Sequence, residues 1–457
     1  MVKKLNKYSE KKIMIFMLFL CTFLSLFGWI LGYFINVNNF LFIFYIISLF
    51  FFFFLDKDFL IRYIYLFAMN SLYIVGIYAC DIGGIYLKEI STTTYYANAL
   101  SPAMLATYLL FILCYIFNFR AIRRNNDEKQ NGKKTNYKNY LYYFSWILIA
   151  IEIIALSELL KSGSNISLQM SRFEYSSMVM SPFANKVKAN IILGLPIVYL
   201  SKGKYKRQQI FIFVIFYILI MYFSGEKFGP YLLLFSVLMV LFPNFLKLMK
   251  KYSILIVLAF VAMIGIVYVQ YTNLYNYTLQ EFISYLLSRL CQQGQTWWSV
   301  YSEFSMQLPH LKEFLYEIES CIFNEKLFVF PYAGQWKMMY LAAHSSAYVV
   351  IRIQNAVPYT ATTMASTFYY FGYFGLFMIY PLIGILYGWL INNVIPNINS
   401  NNIIKAILTI KIFIMTNALS TASGISEFIS IKGFAILLLF FISCKYKKIS
   451  FVRGKRE

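Results

Sequence analysis

Charge is what this sequence has least of. Asp, Glu, Lys and Arg together make up 13% of its 457 residues, about half the share usual in a soluble domain. A chain this long with so few charges cannot cover a globule with a water-facing surface, so a soluble enzyme or binding module is excluded. Acidic residues are scarcer still, 19 against 41 Lys and Arg, and histidine occurs twice. The six cysteines are scattered, with no CxxC and no Cys/His spacing, which argues against a disulfide framework and a metal site. Cys291 and Cys321 share one segment and are read as free thiols. Segments of about ten residues with alternating polarity, the mark of a membrane barrel, are absent, and no internal repeat is detectable.

What is there instead is hydrocarbon. Hydrophobic residues make up 60% of the chain, aromatics 20%, and the mean hydropathy is +0.62. Apolar runs long enough to cross a bilayer as helices recur along the whole length. Lipid offers a backbone no hydrogen-bond partner, so each spanning run must be helical. The expected fold is an all-α, polytopic membrane protein of about twelve transmembrane helices. These lie near 13–35, 39–55, 61–80, 101–119, 140–157, 188–200, 209–223, 229–246, 252–271, 366–391, 403–421 and 428–444. The first run has no small-residue cleavage site behind it and reads as an uncleaved span. Residues 1–457 are expected to form a single integral membrane domain.

The net charge of +22 would suggest nucleic acid in a soluble protein. In a membrane protein it has another source, since cytoplasmic loops collect Lys and Arg. The basic stretches are the N-terminus, 119–139, 201–209, 247–252 and 445–457. Counting spans between them puts every one on the same side. Both termini are therefore expected in the cytoplasm, and no nucleic-acid partner is implied. The outer segments are then 81–100, 158–187, 224–228, 272–365 and a turn near 422–427. The segment 272–365 is far beyond an ordinary connection and is expected to be a large extracytoplasmic loop subdomain. Within it, "LQEFISYLLSRL" (279–290) and "HLKEFLYEIESCIF" (310–323) have helical periodicity, with charge on one face and apolar residues on the other. Such helices suit the membrane surface or a fold back over the spans.

Residues able to do chemistry cluster on the outer side. His310 and His344 both lie in 272–365. His310 follows Pro309 and reads as an ordinary surface residue, whereas His344, in "LAAHSSAY", has small neighbours that leave room for a ligand. Arg172, Arg289 and Arg352 are outer arginines where Lys and Arg are sparse, and Lys227 sits in "SGEKFGPY" (224–231). A single outer arginine can simply contact headgroups. Several together suit a phosphate or diphosphate, because guanidinium holds five donors in a fixed fork. The three arginines are expected to converge on one cavity. In "QTWWSVYSEF" (295–304), Trp297 and Trp298 beside polar neighbours suit sugar rings, although a membrane-interface Trp needs no ligand. Glu303 in the same stretch is the base candidate. Glu226 beside Lys227 reads as a local ion pair. Glu152, Lys411 and Lys432 fall within spans, where charge points to function.

Taken together, the twelve-span arrangement, "SRFEY" in an outer loop, "SGEK" between adjacent spans, the large outer loop and "TMASTFYYFGYFGLFMIYPLIG" (363–384) resemble the oligosaccharide repeat-unit polymerases, the Wzy-type O-antigen polymerases. Members commonly carry Arg where this chain has Lys227, and an acidic residue where the run before Phe371 is neutral. The resemblance implies a type C glycosyltransferase-like fold in the cell inner (plasma) membrane. It implies a reaction without metal or cofactor, in which a growing glycan moves from undecaprenyl diphosphate to a sugar hydroxyl of a new lipid-linked unit. His344 and Glu303 would be catalytic. Arg172, Arg289, Arg352, Lys227, Trp297 and Trp298 would bind substrate. The partners would be undecaprenyl-diphosphate-linked oligosaccharide, membrane lipid and a chain-length regulator. A lipid-linked oligosaccharide flippase and an O-antigen ligase are the competing readings. The flippase predicts charges along a central path and no large outer domain.

The topology is directly testable in intact cells lacking the native cysteines. Gln130→Cys should be protected from an impermeant thiol reagent and Glu325→Cys should react. Labelling at 130 from outside would overturn the arrangement.

Overall fold

The computed structural model describes residues 2–125, 138–163, 168, 175–201, 203–226, 228–242, 265, 268, 278–356, 362–399, 402–421 and 425–445. It is almost entirely helical. The first helices are α1 (Val2–Leu31), α2 (Asn38–Leu55), α3 (Ile64–Ile82) and α4 (Leu100–Asn125). A short helix, Lys57–Arg62, joins α2 to α3, and a two-stranded antiparallel ribbon, β1 (Tyr86–Leu87) and β2 (Thr92–Thr93), joins α3 to α4. Then come α5 (Lys138–Lys161), α6 (Pro182–Asn190), α7 (Leu195–Leu200), α8 (Lys206–Phe223) and α9 (Phe228–Leu241). The segment 272–365 holds α10 (Leu279–Phe304), α11 (Leu311–Phe323), α12 (Gly334–Ala342) and α13 (Ala347–Gln354). Last are α14 (Thr363–Phe374), a π-helical turn at Gly375–Ile379, α15 (Tyr380–Asn399), α16 (Ile403–Thr421), α17 (Ile425–Ile429) and α18 (Ile431–Lys445).

Nine helices among the described residues are long and apolar enough to cross a membrane, and two shorter apolar ones lie at Gly229–Leu241 and Ile431–Cys444. The protein is therefore an all-α polytopic membrane protein. The span expected at 252–271 lies outside the described residues, apart from Gly265 and Tyr268. Helix starts follow local chemistry. Asp56 accepts from Phe59 N at 3.1 Å to open the helix after α2. Ser181 accepts from Ala184 N at 3.0 Å, with Pro182 at the first helical position of α6, where a missing N–H costs nothing.

The chain divides into two compact units. One comprises Ala121–Phe242, Leu390–Ile414 and Lys432–Glu457. Here α5 lies along α8, and Gly203 lets Tyr142 approach so closely that a methyl would strike its ring. Glu226 pairs with Lys188 of α6 at 2.8 Å, so its carboxylate reaches a partner distant in sequence as well as having Lys227 for a chain neighbour. Glu152 is fully buried in α5, and neither carboxylate oxygen has a hydrogen-bond partner among the described residues.

The other unit comprises Met1–Arg120, Pro243–Trp389 and Met415–Ile431 and contains the whole segment 272–365. Its organising contact is between α3 and α10, which run antiparallel. Cys80 Sγ reaches Cys291 O at 3.6 Å, and one turn away the two backbones touch at Gly76 and Gly294. A Cβ on Gly294 would collide with Ile77 N, and one on Gly76 would meet Gly294 N and Leu290 O at 2.5 Å. The apolar stretch Thr363–Val394 is 32 residues long, about 48 Å if straight and well beyond the ~30 Å hydrocarbon core. It does not run straight. Gly372 has φ 61° and ψ −146°, a conformation only glycine tolerates. Beyond it Gly375 packs against Thr367 O, although eight residues of straight helix would separate them by about 12 Å. The single span expected at 366–391 thus has a sharp turn near its start. Below that turn, Tyr387 donates to Asn417 at 2.7 Å, and Thr363 bonds to Leu419 O.

Replacing a mid-helix Gly by Ala ordinarily stabilises a helix by about 1 kcal/mol. Gly294→Ala should do the reverse, because overpacking costs about 1–3 kcal/mol. Thermal unfolding of the detergent-solubilised protein reads the sign, and a raised midpoint would mean that α3 and α10 do not touch there.

Candidate functional site

Helix α10 is built with two faces. It opens on a capping box, Thr278 with Glu281, which satisfies the first free amides. One face carries Cys291, Gly294, Trp298 and Tyr301 toward buried neighbours. Trp297 and Trp298 are 0% and 1% exposed. Their indole N–H groups donate to Ala99 O at 2.9 Å and Tyr95 O at 3.1 Å, and Tyr301, Phe368 and Tyr95 pack on their rings. Neither ring offers a face to a sugar, so the expectation for these two residues does not hold. Aromatic bulk beside a close helix crossing is fully used by packing.

The neighbouring side of α10 carries Gln295, Ser299 and Glu303, spaced four residues apart and so within about 80° of one another around the helix. Each has its own partner. Gln295 donates to Glu89, whose other oxygen accepts from Arg352 Nη1 at 2.6 Å. Ser299 donates to Ala342 O at the end of α12. Glu303 Oε1 lies 2.9 Å from His344 Nδ1. The two residues picked separately from the sequence as chemically capable are therefore in direct contact.

His344 is held in that position by the end of α12. Its N–H bonds to Leu341 O and that of Ser345 bonds to Tyr340 O, both at 2.9 Å. This pair of bonds is the Schellman closure of a helix. The residue after the cap in such a closure is left-handed and usually glycine. Here it is His344, with φ 51°, followed by Ser345, with φ 56°. A non-glycine residue there costs about 1 kcal/mol or more. The side chains of His344 and Glu303 remain 49% and 35% exposed, so the pair is open to a ligand. A carboxylate can only accept, so the imidazole N–H facing it is on Nδ1, and in the neutral ring the lone pair is then on Nε2. That arrangement can take a proton from a hydroxyl.

The arginines are less free than the sequence implies. Arg352 is paired with Glu89 and lies over the Tyr348 ring at 5.9 Å, with Lys88 Nζ over the same ring at 5.8 Å. Arg289 donates to Tyr285 Oη at 2.8 Å and to Gln292 at 2.7 Å. It stands about 21 Å along α10 from Glu303. Arg172 and Lys227 lie outside the described residues, so their convergence on a common cavity rests on the sequence reading alone. His310 differs from its expected place on the surface. Its ring stacks on Tyr369 at 4.4 Å with Phe304 edge-on, Nε2 is buried without a hydrogen-bond partner among the described residues, and burial lowers its pKa.

Two further carboxylates fix α12 at its start. Glu313 accepts from Gly334 N at 2.8 Å and from Lys337 at 2.5 Å; Glu317 accepts from Gln335 N at 2.9 Å and from Tyr370 Oη at 3.3 Å. Burial raises the Glu317 pKa, and these bonds oppose the shift. Sequence reading passed over Glu89, Ser299, Glu313 and Glu317. The four-residue spacing of Gln295, Ser299 and Glu303 was the visible signal for a polar stripe.

Residues 332–437 match a family model described as a family of unknown function, DUF6418. The match begins at Tyr332 and takes in α12, His344, Arg352 and the turn at Gly372, but not Glu89 or Glu303. No curated protein matches the chain, and no solved structure does.

The left-handed turn gives a test. His344→Ala and His344→Gly both lose the bond to Glu303, but only glycine relieves the backbone. The Gly variant should therefore be the more stable of the two by about 1 kcal/mol. Equal thermal midpoints would show that the turn is unstrained.

Proposed function

We propose that the protein is a membrane glycosyltransferase that polymerises lipid-linked oligosaccharide units on the outer face of the inner membrane, with twelve spans, both termini in the cytoplasm and Glu303–His344 as its base. The observation that carries this reading is the exposed carboxylate–imidazole pair held by a strained turn. Strain of this kind persists where surrounding structure over-determines it, and it clusters at working sites. In the reaction, His344 Nε2 accepts the proton of the acceptor sugar hydroxyl. That oxygen forms a bond to the anomeric carbon of the donor, and the bond to the lipid diphosphate breaks with its electron pair. Glu303 keeps the imidazole in the tautomer with Nδ1 protonated and stabilises the imidazolium as it forms. The basic residues of the outer side would offset the charge developing on the diphosphate. Both substrates are carried in one leaflet, so orientation supplies much of the acceleration.

A flippase is less favoured, because a general-base pair has no use in moving an unchanged lipid. The test is the glycan ladder of cells expressing variants at wild-type protein level. His344→Ala should abolish long chains while single repeats remain attached, and Glu303→Gln should shorten or weaken the ladder. Complete loss of attached repeats would instead indicate a ligase or a flippase, and a normal ladder in His344→Ala would end the assignment of the base.

A further inference from the structure

We infer that α12 carries an aromatic track for a carbohydrate chain, formed by Trp336 and Tyr340 and ending at His344. This inference rests on the glycan-transfer reading above and adds to it a binding site for the sugars.

Trp336, Tyr340 and His344 are spaced by four residues, so the two rings line one side of α12 about 6 Å apart and the imidazole follows at its end. Both rings are half-buried, which leaves part of each accessible. Each is braced by an aromatic from the loop before the helix. Phe328 packs on Trp336 with centroids 5.8 Å apart and an interplanar angle of 66°, and Tyr332 packs on Tyr340 at 5.1 Å and 63°. In an edge-to-face contact the edge of one ring meets the face of the other, so at most one face of each ring is used. The bracing also removes rotamer freedom in advance, which lowers the entropy lost when a ligand binds.

The polar heads separate these rings from the tryptophans of α10. The indole N–H of Trp297 and of Trp298 each donates to a backbone carbonyl. Trp336 Nε1 and the hydroxyls of Tyr332 and Tyr340 make no hydrogen bond to any described residue, and none of them is among the buried atoms left without a partner. Tyr332 is buried, whereas Trp336 Nε1 and the Tyr340 hydroxyl sit on half-buried rings and are donors left for a ligand. An aliphatic lipid chain would use the faces and waste the donors, and a free anion would use the donors and waste the faces. A pyranose ring uses both, with C–H bonds on the negative face of the aromatic ring and hydroxyls reaching the N–H and O–H groups at its rim. Tyr340 lies one turn before the exposed imidazole of His344, so the next unit of a chain held on Tyr340 is about one sugar length from it.

The experiment uses the full-length protein in detergent and, as probe, oligosaccharides from partial acid hydrolysis of the source cells' own surface polysaccharide. Trp336 is one of six tryptophans, and oxidation of each by N-bromosuccinimide is followed by peptide mass spectrometry. The probe should slow oxidation of Trp336 at least threefold and leave Trp297 and Trp298 unchanged. In cells, Trp336→Ala should shift the ladder to shorter chains, and Trp336→Phe, which keeps an aromatic face, should restore them. Unchanged Trp336 oxidation in the presence of the probe would overturn the track, and so would a normal ladder in Trp336→Ala. His344→Ala separates the two claims. Loss of polymer in that variant with no protection of Trp336 leaves the base and removes the track. Protection of Trp336 with a normal His344→Ala ladder leaves the track and removes the base.

Discussion

The segment 272–365 depends on the contact of two glycines. Without side chains at Gly76 and Gly294, the backbones of α3 and α10 meet directly, at a separation that admits weak Cα–H···O contacts and dense packing. That contact fixes the rotation of α10. Once its glycine face is against α3, the positions 100–180° away, Gln295, Ser299 and Glu303, must turn together away from α3, the first two into buried contacts with Glu89 and the end of α12. The polar stripe is therefore a consequence of where the glycines are. The rotation also explains why an amphipathic helix too polar to count as a span lies against one of the apolar spans.

From that stripe the rest of the candidate site is assembled by acceptors. Acidic residues are few, yet three near α12, Glu303, Glu313 and Glu317, have partners. Glu313 and Glu317 take backbone amides at its start, Ser299 bonds a carbonyl at its end, and Glu303 holds the imidazole beyond it. A nine-residue helix would barely persist alone in water. Here its first free amides and last free carbonyls are satisfied by neighbours, so its length and direction are set from outside. Two glutamates one turn apart on α11 are thus spent on locating a short helix whose end places His344.

How far the sequence was legible follows from the physics of each signal. The helical, membrane-spanning class was readable because lipid leaves the backbone one option and long apolar runs advertise it. The helices at 279–290 and 310–323 were readable from their periodicity. Which face of them turns inward was not. On α11 the buried residues are Glu313, Glu317 and Ser320, while Leu311 and Leu315 are exposed. Periodicity identifies two faces but not the medium each one meets. The turn at Gly372 was hidden because two apolar arms separated by one glycine have the hydropathy of a single long helix. His344 and Glu303 were chosen individually for their chemistry. Their contact spans 41 positions and has no local trace.

The same limit explains why two buried tryptophans stood out. Trp297 and Trp298 are adjacent and surrounded by polar residues, which in a soluble protein suggests an exposed aromatic surface. Adjacent residues on a helix are 100° apart, so a pair of large rings can be buried only if neighbours cover a wide arc. The crossing at Gly294 brings α3 near enough to form one side of that arc, and Tyr301 with Phe368 forms another. Trp336 is a single tryptophan in an ordinary stretch, and its ring is only half-buried because it lies on the side of α12 away from the buried Gly334, Met338 and Ala342. Exposure of an aromatic residue in this fold is decided by the side of its helix it lies on and the closeness of the nearest crossing, neither of which is written in the residues beside it.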